Sequence, residues 1–72
     1  MIMYGYRGDN KSVGMYELAG GTFRYKMQVA MSDLRSDIAT LLQVKARLCD
    51  GFVNVYLNHD GEVIDTPDEL PS

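Results

Sequence analysis

Few side chains in this 72-residue chain have the types and spacing that chemistry needs. His59 is followed by Asp60 and Glu62, and an imidazole beside a carboxylate is the pairing that makes a general base. No nucleophile accompanies it. The one cysteine, Cys49, falls on the apolar side of a predicted helix, and no serine stands in an elbow motif. Asp60, Glu62 and Asp65 could share a hard cation, but the EF-hand spacing is absent. One cysteine and one histidine are too few for a zinc set, and no phosphate-binding or dinucleotide glycine loop occurs. The sequence therefore leads us to expect no catalytic residue, no metal and no cofactor. Arg7-Gly8-Asp9 matches an integrin-binding tripeptide, but nothing else in the chain points outside the cell.

Charge gives a stronger pattern. Residues 1–49 carry seven basic and four acidic side chains, net +3, whereas residues 50–72 carry six acidic and none basic, net −6. Asp60, Glu62, Asp65, Asp68 and Glu69 form an acidic hairpin and tail suited to a partner with a basic surface, and they are the candidate binding residues. The alternative is a basic strand face. Arg24, Lys26 and Gln28 alternate along one strand, and Tyr4 and Tyr6 on a neighbour could stack the bases of a single-stranded nucleic acid. Two basic residues and a pI near 4.8 argue against phosphate-dominated binding.

The elements that must carry these residues are legible from periodicity. Met1–Arg7 is β-prone, and Gly8–Ser12 is a turn. Gly20-Gly21 suits a type I′ hairpin turn, which predicts Leu18 opposite Phe23, Glu17 opposite Arg24, Tyr16 opposite Tyr25 and Met15 opposite Lys26. That register places Tyr16, Leu18, Phe23, Tyr25, Met27 and Val29 on one apolar face, with Met15 left among polar residues on the other. Ser32–Cys49 reads as a helix capped by Ser32, with Leu34, Ile38, Leu41, Leu42, Leu48 and Cys49 as its apolar stripe. Lys45 interrupts that stripe. It either snorkels to water or meets an acidic residue of a second subunit. Phe52–Asp65 is a second hairpin, with Leu57 opposite Ile64 or, if Gly61 forms a bulge, opposite Val63.

Strand, hairpin, helix and hairpin make an α+β fold, a two-layer sandwich of four or five antiparallel strands in β-ββ-α-ββ order. Residues 1–65 form the domain, with 66–72 as an extended tail. No run of about 18 apolar residues predicts a membrane span, and the N-terminus has no signal-peptide pattern. One thiol and no disulfide fit a reducing cytoplasm. By exclusion, the sequence suggests a small non-enzymatic regulatory or accessory protein working through protein contacts. One helix is too narrow to cover four or five strands, so a homodimer is expected.

Overall fold

The computed structural model describes residues 1–64. The expected tail 66–72, with Asp65, Asp68 and Glu69 of the acidic set, lies outside them. The chain runs through β1 (Ile2–Arg7), β2 (Ser12–Ala19), β3 (Thr22–Ala30), a 3-10 turn at Met31–Asp33, α1 (Ser36–Leu48), β4 (Phe52–Leu57) and β5 (Val63–Ile64). The strands form one antiparallel sheet in the order β3-β2-β1-β4-β5. This is the α+β class and element order that the sequence predicts.

Helix α1 starts four residues later than the pattern suggests. Met31, Ser32 and Asp33 close a 3-10 turn in which the Leu34 N–H donates to the Met31 carbonyl at 3.2 Å. Leu34 and Arg35 are then extended, so Ser32 caps nothing and Arg35 takes the N-cap position without a side-chain cap. The break lets Met31 and Leu34 pack against the core before the helix begins. At the other end, the Cys49 N–H donates to the Lys45 carbonyl at 3.1 Å, and β4 follows after a short turn.

One sheet face is dry. Ile38 and Leu42 of α1 are buried with Tyr6, Val13, Val53, Val55 and Leu57, and Ile2, Tyr4, Val29 and Leu34 pack around them. Complete burial of a side chain such as Leu42 is worth about 1.5–3 kcal/mol. The helix stripe is shorter than predicted. Leu48 is 80% exposed and Cys49 is also exposed, because the chain turns away toward β4 at that end.

The β2–β3 hairpin has the predicted turn, with φ +60° at Gly20 and +80° at Gly21, as a type I′ turn requires. Leu18 opposes Phe23, Glu17 opposes Arg24 and Tyr16 opposes Tyr25, as expected. Met15, however, opposes Met27 instead of Lys26. Lys26 is the extra residue of a β-bulge, and one inserted residue reverses which face every later side chain takes. Met15, Met27, Val13 and Val29 therefore share the helix side. Tyr16, Leu18, Phe23 and Tyr25 are turned to the opposite face, so the single apolar face predicted for this hairpin is divided between the two sides of the sheet.

In the second hairpin Leu57 opposes Val63. The Gly61 N–H donates to the Asn58 carbonyl at 3.0 Å and the Asn58 N–H to the Glu62 carbonyl at 2.9 Å. That is the bulged alternative, with Gly61 at φ +80°.

Candidate functional site

A second apolar surface lies on the side of the sheet that, among the described residues, no helix covers; the bulge takes Met27 and Val29 away from it. Register places Met3 and Arg7 of β1, Tyr16 and Leu18 of β2, Phe23 and Tyr25 of β3, and Phe52 and Tyr56 of β4 on this face. Phe23 and Tyr56 lean toward one another across the two strands between them, with ring centroids 5.7 Å apart at 49°. Tyr16 and Tyr25 meet edge to face at 5.6 Å and 73°, a geometry that suits the ring quadrupoles. Phe52 is 69% exposed and is partnered by the Arg7 guanidinium 5.9 Å from its centroid.

Glycine makes room for this cluster. A Cβ on Gly14 would lie 3.0 Å from Cε1 of Tyr16, and one on Gly5 would lie 3.4 Å from the same atom. The Tyr16 ring thus lies down across two strands whose facing positions carry no side chain. A polar run borders it: the Tyr25 hydroxyl donates to Oε1 of Gln28 at 3.1 Å, and Nε2 of Gln28 donates to the Ser12 hydroxyl at 3.0 Å.

The residues expected to form a nucleic-acid face are separated by the same geometry. Tyr4 and Tyr6 lie on the helix side, where Tyr6 is 6% exposed and belongs to the core. Gln28 faces the opposite side with Tyr25, Arg24 is on the helix side opposite Glu17, and Lys26 sits in the bulge. Tyr4, Tyr6, Arg24, Lys26 and Gln28 therefore do not share a surface. One signal in the sequence pointed to this arrangement: Met15 was the lone apolar residue on a polar face, and a one-residue slip in β3 gives it an apolar partner.

Of the acidic candidates, Asp60 and Glu62 are exposed at the β4–β5 turn. Asn58 organises that turn. Its Oδ1 accepts from the N–H groups of Asp60 at 3.0 Å and Glu62 at 2.9 Å, and its Nδ2 donates to Glu62 at 3.5 Å. A cation missed in the sequence reading also approaches: Arg35 donates to the Gly61 carbonyl at 2.7 Å and forms a two-pronged pair with Asp37 at 2.9 and 2.7 Å. Hydrogen bonding to Arg35 holds the Asp37 carboxyl below its ordinary range, and the same bond raises Arg35 further above its own. His59 is exposed, with no hydrogen bond to its ring among the described residues.

Lys45 does more than reach for water. Its Nζ donates to the Asn54 carbonyl of β4 at 3.0 Å. A groove of about 450 Å³ lies between α1 and the β1–β2 turn, lined by Tyr6, Gly8, Gln43, Ala46 and Arg47. Among the described residues no three acidic, histidine or cysteine side chains gather as a metal set, and no helix is long and apolar enough to cross a membrane.

No family model matches the chain, and neither a curated protein nor a solved structure matches it.

Proposed function

We propose that this chain is a small non-enzymatic contact module, a regulatory or accessory protein that pairs with a second copy through the helix-free face of its sheet. The observation that carries the reading is the apolar cluster of Tyr16, Leu18, Phe23, Tyr25 and Tyr56 on that face, with Phe52 at its border. Apolar patches of this kind mark interfaces, and aromatic rings supply their area at low entropic cost. Charge supports the same arrangement. Residues 11–30, at one edge of the sheet, hold three basic side chains and one acidic. Residues 50–64, at the other edge, hold Asp50, Asp60 and Glu62 and no lysine or arginine. A two-fold axis along the strand direction lays each edge over the opposite edge of its mate. The candidate acidic residues Asp60 and Glu62 would then serve the same contact. A reducing, cytoplasmic setting suits the single exposed thiol of Cys49.

Sedimentation equilibrium tests the proposal. The expected species has twice the 8.1 kDa chain mass, and Phe23→Asp should return it to a monomer that keeps its far-UV spectrum. A wild-type chain that stays monomeric to about 1 mM, the range of the weakest specific contacts, would overturn it.

A further inference from the structure

The groove between α1 and the β1–β2 turn lies on the helix side of the sheet, away from the face proposed to pair. Gln43, Ala46 and Arg47 stand at i, i+3 and i+4 and so share one flank of α1, while Tyr6 and Gly8 form the facing wall. The turn comes this near the helix only at a glycine: a Cβ on Gly8 would stand 3.3 Å from Cβ of Ala46. Sheet order sets β1 and β2 on one side of β4 and β5 on the other, so the groove is on the flank of α1 turned away from β5. Its volume of about 450 Å³ falls within the roughly 300–1,000 Å³ of small-molecule sites.

The chemistry of the lining is one-sided. Arg47 brings a guanidinium, Gln43 an amide and Tyr6 a hydroxyl, and none of the five lining residues carries a carboxylate. Among the described residues Arg47 forms no ion pair. The Tyr6 hydroxyl is only loosely engaged. It donates to the Gly8 carbonyl at 3.4 Å, against about 2.7–2.8 Å for a good O–H···O bond. Asp9, the carboxylate of the same turn, pairs instead with Arg7 at 3.7 Å, and that guanidinium stands over Phe52 on the other face. The groove is left with one cation and two neutral donors, beside the apolar atoms of Tyr6, Ala46 and the Arg47 stem.

We propose that this groove binds a small organic carboxylate. Its two oxygens would meet the Arg47 fork, with Gln43 and the Tyr6 hydroxyl as further donors, and its apolar body would lie against Tyr6 and Ala46. A planar carboxylate accepts two parallel hydrogen bonds from a guanidinium. One cation balances one negative charge, which favours a carboxylate over a doubly charged phosphate. The site is independent of the sheet-face pairing proposed above, because no lining residue belongs to that aromatic cluster.

NMR titration of the full chain with benzoate tests the site, since benzoate joins a carboxylate to a flat apolar body. Saturable shifts are expected at the Gly8 amide, the Gln43 side-chain amide and the Arg47 Nε–H, half complete at about 1 mM. Acetate lacks the body and benzamide lacks the charge, so each should require roughly ten times the concentration. Arg47→Gln should weaken benzoate about tenfold, and Arg47→Lys, which keeps the charge without the fork, should fall between. Arg47 is exposed, so both variants should keep the rest of the wild-type spectrum. Arg24→Gln, at a cation outside the groove, should leave the titration unchanged. Shifts that do not saturate, or that saturate equally in Arg47→Gln, would overturn the site. Shifts centred on Tyr16, Phe23 and Tyr25 would place the ligand on the open face and overturn it as well. Inorganic phosphate binding the same residues more tightly than benzoate would overturn the carboxylate as the ligand.

Discussion

Both faces of this sheet carry apolar side chains, yet they are finished differently. On the helix side, Val13, Val55 and Leu57 are at most 7% exposed because Ile38 and Leu42 close over them. On the other side, Tyr16, Leu18, Phe23 and Tyr56 are only half-buried, and they achieve that by leaning on one another. The covered face is aliphatic, with Tyr4 and Tyr6 at its strands. The open face is aromatic, and the Tyr16 ring lies along the sheet over two glycine positions. An aliphatic side chain needs a close-packed partner to be shielded, whereas a large ring can shield part of its neighbour even without a second layer. The difference indicates which face serves stability and which is available for contact.

The largest effect should separate the faces directly. Leu42 is fully buried, and Leu42→Ala should cost about 2–5 kcal/mol through lost transfer energy and the cavity left behind. Against a total of about 5–10 kcal/mol that leaves the domain close to unfolding. Phe23→Ala on the open face should cost clearly less, because water already reaches its ring. Urea unfolding at a concentration low enough to keep the chain monomeric checks both. Equal losses would mean that the open face is closed over in the monomer, and the comparison would fail.

Gly14→Ala tests how the open face is made. The new Cβ would meet the Tyr16 ring at 3.0 Å, so the ring has to lift from the sheet and loosen its edge contact with Tyr25. Forced repacking of this kind costs about 1–3 kcal/mol, offset in part by the 0.5–1 kcal/mol that alanine gains over glycine in a strand. A net loss near 1 kcal/mol is expected in urea titration, with shifted Tyr16 ring resonances. An unchanged Tyr16 environment would show that the glycine pair is not what lets the ring lie flat.

How much of this was readable in the chain follows from the range of each signal. The Gly20-Gly21 turn, the pairing of Phe23 with Leu18 and the outline of α1 are local patterns, and periodicity found them. The bulge at Lys26 was not found, since alternation from Phe23 to Val29 is unbroken in the sequence and only the misfit at Met15 marked a slip. The delayed start of α1 depends on Met31 and Leu34 packing into the core, a tertiary demand that overrode the cap offered by Ser32. Lys45 stood out as a charge on an apolar stripe, but its partner is the Asn54 carbonyl, a backbone atom that no side-chain pattern reveals. For the acidic set, Asp60 falls in the turn between β4 and β5 and Glu62 directly after it. The contacts from Asn58 and Arg35 that shape the turn depend on its three-dimensional course.

The rim of the covered face is held by polar contacts, and these should matter less than its centre. Asn58 accepts from two backbone N–H groups in the β4–β5 turn, so Asn58→Ala should cost about 1 kcal/mol, a typical net value for such hydrogen bonds. The measurement is again a urea midpoint, with the Asp60 and Glu62 amides expected to exchange faster. A change as large as that of Leu42→Ala would place the turn, not the helix contact, at the centre of stability.

The smallest effect belongs to Arg35 and Asp37, which tie the start of α1 to the same turn through the Gly61 carbonyl. Asp37 accepts two hydrogen bonds from the guanidinium, and these outweigh the modest desolvation that pushes its carboxyl the other way. The folded chain therefore holds this group below its ordinary value of 3.8. A carboxyl whose folded value is depressed adds stability that is fully present above the unfolded value and disappears as pH falls through the folded one. Stability should thus decline on acidification below about pH 5, and Asp37→Asn should flatten that decline while changing little at neutral pH. Both side chains are more than half exposed, which keeps the pair weak and salt-sensitive. Arg35→Lys is the sharper variant at neutral pH, because lysine loses the two-pronged geometry and has to choose between Asp37 and the Gly61 carbonyl. Urea midpoints followed from pH 7 to pH 3 for the three chains decide the point. An acid slope that survives Asp37→Asn would assign it to other carboxylates.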